Sequence, residues 1–119
     1  MGYGAFVHIT NGTDQLLQVK TKNDTCMYGT GNWSEVIFPG QEYPSQYIEA
    51  RASGACAFSP SSVEYSIESV SASGYNQIAS LTLTEQSNNW GVSGSTENVR
   101  VDKIIEAEQA HMWFTITST

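Results

Sequence analysis

A chain of 119 residues is long enough for one continuous core and too short for two, so residues 1–119 read as a single domain. Five Lys and Arg against twelve Asp and Glu leave a formal charge of −7, with no basic cluster, which argues against nucleic acid as a partner and against electrostatic attraction to anionic lipid. Charged residues are only 14% of the chain, and Ser, Thr, Asn and Gln supply 40 residues instead, groups that hydrogen-bond neutral ligands such as sugars and lipid head groups.

The first element starts almost at residue 1, where Val7 and Ile9 alternate with Phe6, His8 and Thr10. A strand this early leads to the expectation of a product made in the cytoplasm without a signal peptide, released to act on target-cell membranes. Phe6 stands where a myristoylation pattern needs Ser or Thr, so no lipid anchor is expected. Asn11-Gly12 follows and predicts a hairpin into the next strand, LLQVKTK at 16–22. Further strands are expected at EVIF (35–38), QYIEARA (46–52), the alternation of Val63, Tyr65 and Ile67, QIASLTLTE (77–85), VRVDKII (99–105) and the final alternation of Met112, Phe114 and Ile116. The one helix-tolerant stretch, KIIEAEQAHMW, is too short for more than a turn or so. About eight short strands predict an all-β fold, a two-sheet antiparallel β-sandwich. Its expected core is Val7, Ile9, Val63, Tyr65, Ile67, Leu81, Leu83, Phe114 and Ile116.

Cys26 and Cys56 lie 30 positions apart, a spacing of neither a zinc knuckle nor a CxxC redox motif. A cytoplasmic product favours two buried thiols, and the alternative is a disulfide closing that loop. Neither His8 nor His111 falls in a metal-ligand spacing with another His, Cys or carboxylate, and His8 is expected at the exposed face or rim of its strand. Glu64 and Glu68 sit on an expected solvent face. No catalytic residue, metal or cofactor is expected, and the chain does not read as an enzyme.

Aromatic residues in polar segments point elsewhere. Tyr28, Trp33, Tyr43, Tyr47, Tyr75 and Trp90 fall in or beside stretches rich in Gly, Asn, Ser and Pro. Any one of them could plug an end of the sandwich, but six together are expected to form an exposed cluster suited to the lipid–water interface or to stacking on a sugar. The expected contact residues are Phe6, Tyr28, Trp33 and Trp90, with Asn32, Asn88 and Asn89 beside the tryptophans and Tyr43 and Tyr47 as a second loop surface.

The same residues carry a family likeness. Tyr3, then Phe6-Val7 leading to Asn11, resembles the opening of the aegerolysins, small acidic β-sandwich cytolysins, and of the related small insecticidal crystal proteins of bacilli. Gly31 and Trp33 resemble that family's Gly/Trp segment, Ala52-Ser53-Gly54 its small-residue turn before a strand, and Asn89-Trp90 with Val92-Ser93-Gly94-Ser95 its Asn-Thr-Trp and Val-Ser-Gly-Ser run. The chain departs from the family at Pro60-Ser61-Ser62, where the family often has Glu-Gly-Thr, and at Glu85-Gln86-Ser87, where Pro-Trp or Pro-Phe precedes the late Asn. The resemblance implies recognition of sphingolipid-type membranes, often as the targeting half of a two-component pore with a larger pore-forming partner. Two other readings remain beside it: a lectin binding a glycan through the same loops, and an interaction module that offers a strand edge.

Overall fold

The computed structural model describes residues 4–51 and 53–118, so Tyr3 and Ala52 of the family likeness lie outside the described residues. Nine strands form: β1 (Gly4–Gly12), β2 (Leu16–Thr25), β3 (Met27–Gly29), β4 (Gln46–Ala50), β5 (Ser61–Ser71), β6 (Gly74–Gln86), β7 (Asn89–Ser95), β8 (Val99–Ile105) and β9 (Ala110–Thr117). They build a five-stranded sheet in the order β3-β4-β1-β9-β8 and a four-stranded sheet in the order β2-β5-β6-β7. The fold is an all-β sandwich with one strand more than expected.

Period-two alternation decides which side chains lie between the sheets. Val7, Ile9, Met112, Phe114 and Ile116 from one sheet meet Leu17, Val63, Tyr65, Ile67, Leu81 and Leu83 from the other. All nine expected core residues are at most 1% exposed. Tyr65 is the largest of them; its hydroxyl reaches the core's edge and donates to the Thr30 carbonyl at 2.7 Å, while burial pushes its phenol pKa far up.

Four expectations are corrected. Asn11-Gly12 does not close a hairpin, because β1 and β2 belong to different sheets. Instead the Asn11 amide turns inward and organises the crossing: its Nδ2 donates to the carbonyls of Gln15 (2.6 Å) and Ile37 (2.8 Å), and its Oδ1 accepts from the Thr13 amide (2.9 Å) and hydroxyl (2.6 Å). Gly12 is needed for close approach to β9, since a Cβ there would lie 2.8 Å from the Ile116 carbonyl oxygen. The tight turn with positive φ falls at Ser87 (54°) and Asn88 (65°), between β6 and β7. Second, EVIF is no strand; only Ile37 pairs, exchanging two backbone hydrogen bonds with Leu17. Third, the sheets are not wholly antiparallel: β1 and β9 are parallel, running from Ala5↔Ala110 to Gly12↔Thr117. Strands joined through the whole sandwich are free of the antiparallel constraint that a hairpin imposes. Fourth, Cys26 and Cys56 are not two free thiols but a disulfide.

Candidate functional site

The loop after β4 builds one end of the sandwich. Arg51 donates its amide to the Cys26 carbonyl at 2.7 Å, the chain makes a single 3-10 turn at Gly54–Cys56, and Cys56 is bonded to Cys26. The Ala57 and Ser59 amides donate back to the Gly54 and Cys56 carbonyls (3.2 and 3.3 Å), which leaves Phe58 pointing outward from a short, pinned segment. Phe58 is 102% exposed, so its ring touches essentially nothing but solvent. Across from it stands the β6–β7 turn, and between them lies an open cavity of about 270 Å³ lined by Arg51, Phe58, Ser59, Glu85, Ser87 and Asn88. Glu85 is buried at its edge and accepts from the Asn88 amide at 2.8 Å.

Arg51 is set apart electrostatically. Lys20, Lys22 and Arg100 pair with Glu68, Glu64 and Asp102 (3.2, 4.0 and 2.7 Å), and the Lys103 ammonium sits 4.3 Å from the Trp113 ring centre. Arg51 has no carboxylate within 4 Å among the described residues; its guanidinium leans on Tyr28, 5.8 Å from the ring centre. Tyr28 is itself 54% exposed and shares a hydrogen bond of 2.9 Å with the Ser53 hydroxyl.

The structure therefore places Tyr28, Asn88 and Asn89 of the expected contact residues near this end, and adds Phe58 and Arg51, which sequence reasoning passed over. Phe58 did carry a signal, being the one large side chain, outside any alternation, in the small-residue run ACAFSPSS. The other expected contacts go elsewhere. Trp90 is not in a loop but in β7, and both it and Tyr43 are buried in the core; Trp33 packs against that core, its ring 5.4 Å from that of Tyr43 and 5.8 Å from that of Tyr65. These three plug the sandwich, because a large ring beside an open layer edge buries more apolar area inward than it could hold outward. Asn32 is exposed, its amide donating to the Gln46 side chain at 2.9 Å. Tyr75 lies at the β5–β6 turn, at the opposite end from Phe58.

Phe6 and Tyr47 lie on the outer face of the five-stranded sheet, in a ring stack with His8, His111 and Trp113. Neighbouring centroids are 5.2 Å (Phe6–Tyr47), 4.9 Å (Phe6–His111), 5.5 Å (His8–His111) and 4.4 Å (His8–Trp113) apart. His8 is thus covered rather than exposed, with 13% of its side chain accessible. Burial holds its pKa below the usual value; Glu42 pulls it up in part, and His111 and Lys103 push it down. Burial and the hydrogen bond to Glu49 raise the Tyr47 phenol.

No protein-family model matches the chain, and no curated protein is significantly similar to it.

Proposed function

We propose that this chain is a non-enzymatic membrane-recognising protein of the aegerolysin kind, which seats its disulfide end at the head-group level of a bilayer. The observation that carries the reading is Phe58, wholly exposed on a loop held by the Cys26–Cys56 bond. An exposed Phe side chain gains about 1.5–3 kcal/mol on transfer out of water, and a pinned loop loses little entropy when it docks. Tyr28 beside it is an amphipathic ring of the kind that favours the lipid–water boundary. The acidic chain offers only one free guanidinium at this end, which fits neutral or zwitterionic head groups better than a strongly anionic surface. No helix among the described residues is long and apolar enough to cross a membrane. Sphingolipid as the preferred lipid, and a larger pore-forming partner, come from the family likeness and belong to the same proposal.

The lectin reading needs a free ring face for a sugar. In the outer stack Trp113 has His8 on β1 and Lys103 on β8 as its register partners on either side, at 4.4 and 4.3 Å, so that ring offers no free face and a sugar, like a lipid, would have to use Phe58 and Tyr28; competition by sugars separates the two readings. Flotation with sphingolipid-containing neutral vesicles tests the proposal: the wild-type chain should float with them, free sugars should not compete, and Phe58→Ala should abolish most of the binding. Elution by a sugar, or flotation undiminished in the Phe58 variant, overturns it.

A further inference from the structure

His8 and His111 are 103 positions apart in the chain, yet the parallel pairing of β1 with β9 makes them diagonal neighbours on one sheet face: Phe6 is opposite His111, and His8 is opposite Trp113. The His8 Nε2 and His111 Nδ1 atoms are 3.2 Å apart. The rings are held in place from both sides, His8 by Trp113 at 4.4 Å and 13° between planes, and His111 by Phe6 at 4.9 Å and 19°. The other nitrogen of His8, Nδ1, faces the Glu42 carboxylate at 3.7 Å and has no hydrogen-bond partner among the described residues. A carboxylate on that side favours the tautomer with the proton on Nδ1, which presents the Nε2 lone pair to His111.

We infer that His8 Nε2 and His111 Nδ1 together ligate a divalent transition-metal ion, Cu²⁺ ahead of Ni²⁺ and Zn²⁺. Two imidazole nitrogens bound about 2.0–2.1 Å from one ion are about 2.9 Å apart at a right angle and about 3.4 Å at the tetrahedral angle, and the observed separation lies between the two. Glu42 then takes the outer role, accepting from the ligand's second ring nitrogen and fixing its orientation, an arrangement that recurs around metal-bound histidines. Among the described residues no group of three or more His, Cys, Asp or Glu converges on one point, so two imidazoles are the protein's share and water completes the shell. No free thiol competes for the ion, because both cysteines are bonded. The proton that His111 Nδ1 carries in the hydrogen bond moves to its Nε2, which frees the Nδ1 lone pair for the ion. Imidazole donors select Cu²⁺, Ni²⁺ and Zn²⁺ over Mg²⁺ and Ca²⁺, which seek oxygen. The net charge of −7 favours any cation's approach, while Lys103, over the far side of Trp113, opposes it. The inference is independent of the membrane reading, since the stack and the Phe58 loop share no residue.

Trp113 reports the site directly. Its ring is in contact with His8, so Cu²⁺ bound there should quench it, and titrating the oxidised full-length chain with CuCl₂ at neutral pH should give saturable quenching at one equivalent. His8→Gln and His111→Gln should each weaken the apparent affinity at least tenfold, and Glu42→Gln by about tenfold. Trp113→Phe should remove the quenching while calorimetric Cu²⁺ binding persists. Magnesium chloride should do nothing. Zn²⁺ added to the wild-type chain, with the imidazole resonances followed by NMR, tests the same point without any variant: both histidines should shift together. Quenching that does not saturate, quenching unchanged in His111→Gln, or imidazole resonances unmoved by Zn²⁺ overturns the inference.

Discussion

Cys26 and Cys56 are bonded across the corner where the chain passes from one sheet to the other. Cys26, at φ 54°, lies between β2 of the four-stranded sheet and β3 of the five-stranded sheet, and Cys56 lies in the turn that carries Phe58. The bond closes a loop of 30 residues, for which the chain-entropy estimate is about 3–4 kcal/mol. Urea unfolding of the Cys26→Ser/Cys56→Ser chain should therefore show a loss of about that size, and dithiothreitol should reproduce it in the wild-type protein. Equal midpoints with and without reductant would show that the hydrogen bond from Arg51 to the Cys26 carbonyl holds the corner unaided.

Phe58 and Trp90 should separate binding from stability. Trp90 is 4% exposed within the core, and Trp90→Ala should cost about 3–5 kcal/mol in unfolding experiments. Phe58→Ala removes a side chain that packs on nothing and should stay within about 0.5 kcal/mol of wild type, while losing vesicle binding. If Phe58→Ala unfolds the protein, the ring has a packing role and the membrane reading loses its main support.

The sequence carried the layers more legibly than the site. Val7, Ile9, Val63, Tyr65 and Ile67 are apolar at every second position with polar residues between them, and a side chain on that period has only one face on which to bury. Which strands become neighbours is not a local property. The parallel β1–β9 pair depends on the packing of everything between them, so the approach of His8 to His111 had no trace in the spacing of either residue. Asn11-Gly12 misled for a different reason: the pair that suits a tight hairpin also suits an inward Asn side chain with a Gly against a neighbouring backbone, and only the sheet assignment tells them apart. Trp90 was misjudged by its polar neighbours Asn88, Asn89 and Gly91, which belong to the turn before it and the open side of its strand.

Asp102 should set part of the acid limb of stability. Its carboxylate accepts from the Thr115 hydroxyl at 2.6 Å and from Arg100 Nε at 2.7 Å, and these bonds, Thr115's first, hold its pKa below the usual 3.8. A depressed carboxyl pKa stabilises the fold above the unfolded value and loses that contribution as pH falls through the folded one. Between these two values the unfolded chain binds the extra proton, so stability should decline from about pH 4 downward. Thr115→Val should flatten this decline relative to wild type in urea midpoints measured from pH 2.5 to 5. Parallel curves for the two proteins would remove Asp102 as a contributor.

Asn11 offers the sharpest test of how the two sheets are joined. It is fully buried and makes four hydrogen bonds, two as donor to the Gln15 and Ile37 carbonyls and two as acceptor from Thr13. Asn11→Ala leaves these partners facing a small apolar void, and each buried group left unpaired costs about 1–3 kcal/mol, so a loss of about 3 kcal/mol or more is expected. Asn11→Asp keeps the shape and the acceptor oxygen but, once ionised, cannot donate, and it sets a carboxylate against the Gln15 and Ile37 carbonyl oxygens. Above the carboxylate's pKa it should therefore destabilise the fold more than Ala does, and the two variants should converge as acid neutralises the Asp. The reverse order at neutral pH would mean that the bonds to Thr13 hold the crossing and that those to Gln15 and Ile37 are dispensable.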